Sequence, residues 1–169
     1  MTCEVVDTNV ILVANGQHAG VSEDCVADCA LRLQSIMRDG RLALDEGFLI
    51  LLEYQNKTTP KTGNRPGDAF VRWALQNNAN VARVDCVALK EHDARGFGSF
   101  PDDPALANFD PPDRKFVAVA CAHGAAPPIL QAADSKWLGW AAALKTNGVT
   151  VDFLCLNDIR TFQANKSGL

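Results

Sequence analysis

Apolar runs typical of strands alternate with helical patterns along the whole chain, and no other feature constrains the fold as strongly. Neighbouring strands that run parallel must be joined by a crossover, which is usually a helix. The alternation therefore predicts an α/β domain with a mainly parallel sheet. The chain has 169 residues, which suits one such domain, and we expect a single domain over residues 1–169.

The individual elements follow from apolar periodicity and from turn-forming residues. Strands are expected at Cys3–Val6, 41–45, 81–84, 127–134 and 149–156. Helices are expected directly after the first strand and at 22–40, 46–57, 69–78, 113–124, 135–148 and 157–164. The stretch 93–113 is rich in Gly and Pro and is predicted to be irregular, which in a compact domain is usual for functional or mobile segments.

Composition limits the classes of protein that remain. The chain is 47% hydrophobic and carries a net charge of −4, which argues against a basic nucleic-acid coat or membrane binder. No apolar run approaches the roughly 18 residues of a membrane span, and the N-terminus lacks a basic segment, so we expect a cytoplasmic protein without membrane contact. The six cysteines form no Cys-x-x-Cys pair, and we expect all six to be buried, reduced thiols.

Four acidic residues lie where chemistry is common in α/β proteins. Asp7 ends the first predicted strand, and Asp134 ends the strand "PILQAA". Glu53 interrupts the apolar helix "EGFLILLEYQNK", and Asp113 opens the helix "DRKFVAVACAHG". Ligands bind beyond the carboxyl ends of parallel strands, so these acids meet in one crevice if the strands that precede Asp7 and Asp134 are neighbours.

Each acid also has a purely structural interpretation. Asp7 can form an Asx-turn, and Asp134 can cap the helix that follows it. Asp113 can complement a helix dipole, and Glu53 can pair with Lys57 one turn later. Their common placement relative to the predicted sheet favours a shared site over four separate caps and pairs.

Carboxylates gathered in one pocket repel one another unless a cation neutralises them. The hard ions Mg²⁺ and Mn²⁺ prefer oxygen ligands and suit such a pocket. A metal ion held there can activate a water molecule and stabilise charge on a phosphate. The four acids therefore predict hydrolysis of phosphodiester bonds.

Four short motifs resemble those of the PIN-domain nucleases, in the same order and over nearly the whole chain. They are "VVDTNVIL", "LLEY", "DRKFVAVA" and "AADSKWLG". The resemblance implies a three-layer α/β/α sandwich with a short, mainly parallel sheet, and a Mg²⁺- or Mn²⁺-dependent endoribonuclease. It implies that Asp7, Glu53, Asp113 and Asp134 are the catalytic, metal-binding acids, and that Asn9 orients Asp7 or a bound water.

The fourth motif departs from the family pattern at two positions. Ala132 stands where the family often has Thr or Ser, and Lys136 stands where a further acid often follows. These departures favour one tightly bound metal ion over two.

Several residues near the motifs are candidate contacts for single-stranded RNA: Asn9, Lys57, Arg65, Arg114 and Lys136. Basic side chains commonly contact the phosphate backbone. Phe97, Phe100 and Phe109 could stack on bases, although anchoring the irregular segment to the core is the favoured interpretation. The resemblance also makes an antitoxin protein a candidate partner, and a homodimer is a further possibility.

Two other functions compete with the nuclease. A catalytically silent PIN-like module that binds RNA or a partner protein would explain the altered fourth motif. A phosphatase with an aspartyl nucleophile needs a second Asp two places after Asp7, where the chain has Asn9. The phosphatase is therefore set aside.

Overall fold

The computed structural model describes residues 1–167, and a five-stranded sheet forms its centre. The strands of this sheet are β1 (Cys3–Val6), β2 (Arg41–Asp45), β3 (Val84–Val87), β6 (Ile129–Gln131) and β7 (Val151–Phe153). A separate antiparallel pair consists of β4 (Glu91–His92) and β5 (Gly96–Phe97). The sheet order is β3-β2-β1-β6-β7, and every neighbouring pair is parallel, as predicted.

Helices cover both faces of this sheet. They are α1 (Thr8–Ala14), α2 (Glu23–Asp39), α3 (Leu49–Lys57), α4 (Pro66–Asn77), α5 (Arg114–Ala122), α6 (Lys136–Thr146) and α7 (Leu156–Lys166). Helices α1, α2 and α4 pack on one another, while α5 packs against β1, β2 and β6. The predicted three-layer α/β/α sandwich is confirmed.

Strand β1 lies at the middle of the sheet, where the order of the strands reverses. Its Val5 and Val6 are fully buried and pair with Ile129 and Leu130 of β6. Because β1 and β6 are parallel neighbours, their carboxyl ends lie side by side at the position where open α/β sheets bind ligands.

The third strand is displaced from its predicted position. It begins at Val84, whereas the sequence pattern predicted a start at Val81, which is 82% exposed. Asn80 closes a turn at this point, because its Oδ1 accepts the Ala82 N–H at 3.1 Å and its carbonyl oxygen accepts the Arg83 N–H at 2.9 Å. Val81 and Ala82 therefore belong to a local turn, although their apolar side chains suggested the start of the strand.

Helix α3 begins three residues later than predicted. The carboxylate of Asp45 accepts hydrogen bonds from the backbone N–H groups of Leu49 and Ile50, at 2.8 and 3.0 Å. Phe48 precedes the helix with a left-handed backbone, φ 59°. Asp45 thus satisfies the free N–H groups at the start of the helix, and residues 46–48 form the turn that lets it do so.

The prediction of six reduced cysteines is wrong for Cys25 and Cys155, which form a disulfide bond. Cys25 lies on α2 and Cys155 directly precedes α7, and their two Cα atoms lie 5.2 Å apart, within the usual range for a disulfide. Of the remaining thiols only Cys29 is fully buried, since Cys3, Cys86 and Cys121 are partly exposed.

Among the helices of residues 1–167, none has both the length and the apolar character that crossing a membrane requires.

Candidate active site

Asp7 lies directly after β1 and caps the first turn of α1. Its extended backbone lets Oδ2 accept the Asn9 N–H at 2.9 Å, as the predicted Asx-type turn requires. The side chain is almost fully buried, with 5% of the residue exposed, and Oδ1 has no hydrogen-bond partner. Capping therefore accounts for one of its two oxygens and leaves the other available.

Asn9 connects the first motif to the fourth. Its Oδ1 accepts the backbone N–H of Ala133 at 2.6 Å, which ties the start of α1 to the loop that follows β6. Asp134 is the next residue of that loop, and its Oδ1 accepts the Lys136 N–H at 3.1 Å. The contacts of Asn9 thus fix the position of the loop that carries Asp134.

Glu53 faces the same region from α3. Its Oε2 accepts a hydrogen bond from the Thr8 hydroxyl, next to Asp7 in the chain. Its Oε1 accepts a hydrogen bond from Lys115 Nζ at 3.0 Å, and this ion pair is largely shielded from solvent. The pairing with Lys57 that sequence spacing allowed does not form, because Lys115 from α5 takes that place.

The four carboxylates are electrostatically coupled to one another. Burial, together with the neighbouring Asp113 and Glu53, raises the pKa of Asp7 to about 8. Burial, with Asp134 and then Glu53 adding repulsion, raises the pKa of Asp113 to about 6. Each of these acids therefore has close carboxylate neighbours, and their charges oppose one another when no cation is bound.

Within residues 1–167, the four acids do not form a closed cage of metal ligands. In residues 1–167, no three of these carboxylates bring oxygen atoms within 4.8 Å of one another. Mg²⁺ keeps several of its waters and usually binds only one or two carboxylates directly. The donor set, all oxygen and mostly carboxylate, is the type that Mg²⁺ and Mn²⁺ select.

Two buried polar atoms beside the site lack partners: Asp7 Oδ1 and Gln131 Nε2. The Gln131 side chain lies near enough to Asp7 to lower its pKa, against the larger effect of burial. Buried polar atoms without a hydrogen-bond partner are rare in folded proteins, and these two belong to neighbouring side chains. Sequence analysis missed Gln131, since nothing in an apolar strand marks one glutamine as facing the acids.

Arg114, one of the predicted RNA-binding residues, is occupied by structural contacts. The guanidinium of Arg114 donates to the carbonyl oxygens of Phe109, Arg95 and Ala107, at 3.0 to 3.1 Å, and lies over the ring of Phe100. It therefore holds the irregular segment to α5. Phe100 and Phe109 are buried, in agreement with the favoured anchoring role.

The other predicted basic contacts lie on the surface. Arg65 pairs with buried Asp68 at 3.0 Å, and Lys136 pairs with Asp110 at 2.9 Å. Lys57 is exposed at the end of α3. Of these three, Lys136 is the one whose neighbours include the site acids, because Asp134 and Asp113 contribute to raising its pKa after the larger effect of Asp110.

A second group of metal-binding residue types lies at the opposite, amino end of the sheet: Cys3, Asp85 and His123. His123 Nδ1 accepts the Ala125 N–H at 3.0 Å, so its single imidazole proton is on Nε2, which donates to Asp85 at 2.9 Å. Arg41 also pairs with Asp85. With its nitrogen protonated and its carboxylate paired, this group is an ion-pair network.

Comparison with protein-family models finds no match, and comparisons with curated proteins and with solved structures find none either. The resemblance to the PIN-domain nucleases therefore remains an expectation from the four sequence motifs.

Proposed function

We propose that this protein is a Mg²⁺- or Mn²⁺-dependent endoribonuclease of the PIN type that cuts single-stranded RNA. One observation carries the proposal: Asp7 is buried with a free oxygen beside three further carboxylates that come from three other segments of the chain. A pocket of this kind is unfavourable without a cation, and a bound cation is the simplest reason for a protein to maintain it.

Asp7, Glu53, Asp113 and Asp134 would hold the metal ion, which would lower the pKa of a water molecule and neutralise charge on the phosphate. The chain's own groups position these acids. The Thr8 hydroxyl orients Glu53, while the turn at Asn9 leaves Asp7 Oδ1 directed away from its cap.

Positive charge next to the acids supports a polyanionic substrate. Lys115 is held between Glu53 and the carbonyl oxygen of Pro112, so its ammonium group lies at the edge of the acid cluster. A cation there can contact a phosphate oxygen of the RNA while balancing the charge of Glu53.

Two further parts of the proposal are the partner protein and the cellular compartment. An antitoxin partner is retained as part of the PIN resemblance. We also retain the cytoplasm as the proposed compartment, although the Cys25–Cys155 disulfide weighs against it, because such bonds are rare in reducing compartments.

The proposal is tested by cleavage of a fluorescently labelled single-stranded RNA with purified protein and Mn²⁺. Wild-type protein should cut the RNA, EDTA should stop the reaction, and Asp7→Asn should lower the rate by at least about 100-fold, the scale of a lost catalytic electrostatic contact. Asp24→Asn is the matched control, since Asp24 is an exposed acid at the start of α2. Equal cleavage by wild type and Asp7→Asn would contradict the proposal.

A second candidate function is a silent PIN-like module that binds RNA or a protein without cutting. The ion pair between Lys115 and Glu53, at 3.0 Å, favours it, because an internal cation there partly replaces the charge of a metal ion. Titration calorimetry with Mn²⁺ separates the two functions: the nuclease should take up the ion, and the silent module should not.

A further inference from the structure

A surface cavity of about 470 Å³ adjoins the acid cluster. Asn9 and Asp134 line one side, so the cavity shares a wall with the candidate metal site. The loop after α1 and the C-terminal part of α7 line the other side. Its volume lies within the range of roughly 300 to 1,000 Å³ that is typical of small-molecule sites.

Two planar rings border this cavity. The His18 and Phe162 rings have centroids 6.0 Å apart and planes inclined by 29°. Phe162 packs close to Gly20, whose positive φ of 82° forms the turn that brings the loop against α7. His18 Nδ1 donates to the Ala19 carbonyl oxygen at 3.0 Å, which leaves Nε2 as an acceptor in the neutral ring.

Polar side chains that can recognise parts of a nucleotide also line the cavity. Lys166 Nζ is 3.0 Å from Ser135 Oγ, which places an ammonium group one residue from Asp134 in the chain. Asn165 adds an amide to the lining. Aromatic rings with an amide and an ammonium group can together recognise the base and the phosphate of one nucleotide.

We propose that this cavity is a nucleotide subsite, in which an unpaired base next to the scissile phosphate stacks against the rings of His18 and Phe162. Lys166 contacts a phosphate oxygen of the same nucleotide. This inference rests on the proposed nuclease function and names the form of its substrate: RNA with an unstacked base at the cut.

The subsite is tested by Phe162→Leu and Lys166→Met, with Arg160→Met as a matched control on the exposed part of the same helix. Binding of a labelled single-stranded RNA octamer is measured by fluorescence anisotropy in EDTA, so that no cleavage is needed. Stacking of one base accounts for about 10-fold or more in affinity, and Phe162→Leu should weaken binding by that factor. Lys166→Met should weaken binding and reduce its salt dependence, because one phosphate contact is lost. Arg160→Met should bind like wild type.

A second readout separates the subsite from a general loss of folding. Cleavage sites of wild type and Phe162→Leu are mapped on a long unstructured RNA with Mn²⁺, and circular dichroism checks that the variant is folded. The variant should show a raised KM, a largely unchanged kcat and a weaker preference among bases at the cut. Cleavage at the same sites with unchanged octamer affinity would overturn the subsite.

The two proposals fail in different ways. Protein that binds the octamer through Phe162 and Lys166 but cuts no RNA with any divalent ion overturns the nuclease and leaves a nucleotide-binding cavity. Protein that cuts RNA while both variants bind the octamer like wild type overturns only the subsite. Protein that neither binds nor cuts overturns both.

Discussion

Replacing Asp7 by Asn should stabilise the metal-free protein, the reverse of what loss of a buried capping residue normally does. Burial, with Asp113 and Glu53 nearby, raises the pKa of Asp7 to about 8, whereas its ordinary value is 3.8. Folding therefore disfavours the ionised form of the Asp7 carboxyl whenever no cation is bound. Asn carries no charge and is as good an N-cap as Asp, so the hydrogen bond from the Asn9 N–H is kept.

The size of the effect follows from the two pKa values. At pH 7 the folded protein holds a proton on Asp7 that the unfolded chain has lost. Each pH unit between 3.8 and 7 adds about 1.4 kcal/mol, so the cost of folding with Asp7 is about 4 kcal/mol at pH 7. Below pH 3.8 both states are protonated and the cost vanishes, while above about pH 8 it is constant.

Urea unfolding in EDTA at two pH values measures this cost. Asp7→Asn should be more stable than wild type by several kcal/mol near pH 7.5, and by only about 1 kcal/mol near pH 4.5. Mn²⁺ should then stabilise wild type and leave the variant unchanged, because a ligand stabilises only the state that binds it.

Asp68 provides a control of opposite sign. Burial alone would raise the pKa of Asp68, but hydrogen bonds from the Thr59 N–H, Arg65 and Asn15 outweigh it and lower the pKa. Asp68→Asn should therefore destabilise the protein at neutral pH, and less as the pH falls. Equal or lower stability of Asp7→Asn at pH 7.5 would refute the conclusion that burial and neighbouring acids disfavour the charge on Asp7.

Two further predictions concern the metal ion and the disulfide. Mn²⁺ affinity should rise between pH 6 and pH 8, because the ion must displace protons held at Asp113 and Asp7. Calorimetry in two buffers of different ionisation enthalpy should detect the release of these protons. Unfolded protein prepared without reductant should show four free thiols, and Cys155→Ser should lower stability by up to about 5 kcal/mol, the chain-entropy value for a loop of 130 residues. Six free thiols, or Mn²⁺ affinity independent of pH, would contradict the respective prediction.

The sequence predicted the parallel sheet because its topology depends on the order of elements along the chain. Alternating strands and helices imply a parallel sheet, and a residue just after a strand lies at its carboxyl edge. For Asp7 and Asp134 to follow adjacent strand ends, β1 and β6 also had to be neighbours in the sheet. The parallel pairing of these two strands confirms that they are. Glu53 could be suspected because a charge within an apolar helix needs a partner.

The partners of basic side chains could not be predicted in the same way. Arg114 follows Asp113 directly, which suggested a phosphate contact, but its guanidinium holds three carbonyl oxygens of the irregular segment. Lys115, one residue later, faces Glu53 instead. Which of two adjacent side chains points to the acids depends on the rotation of α5, and that rotation is fixed by packing rather than by local sequence.

The disulfide was missed for a related reason. Cys25 and Cys155 are separated by 130 residues, and spacing along a chain does not determine which cysteines pair. The reduced state was inferred from an expected compartment, whereas the pairing depends on the tertiary position of Cys155 next to α2.

The position of α7 links these observations to function. Cys155, directly before α7, is bonded to Cys25, and Asp158 accepts hydrogen bonds from the Ser22 N–H and hydroxyl at 2.6 and 2.9 Å. The first turn of α7 is thus fixed to the start of α2, while Phe162, about two turns further along α7, lines the cavity beside the acids. Because the four acids lie on other elements, loss of this attachment should loosen the proposed nucleotide subsite while the metal-binding acids keep their places. RNA affinity and metal affinity should therefore respond differently to reduction, since one cavity wall depends on the disulfide and the acid cluster does not.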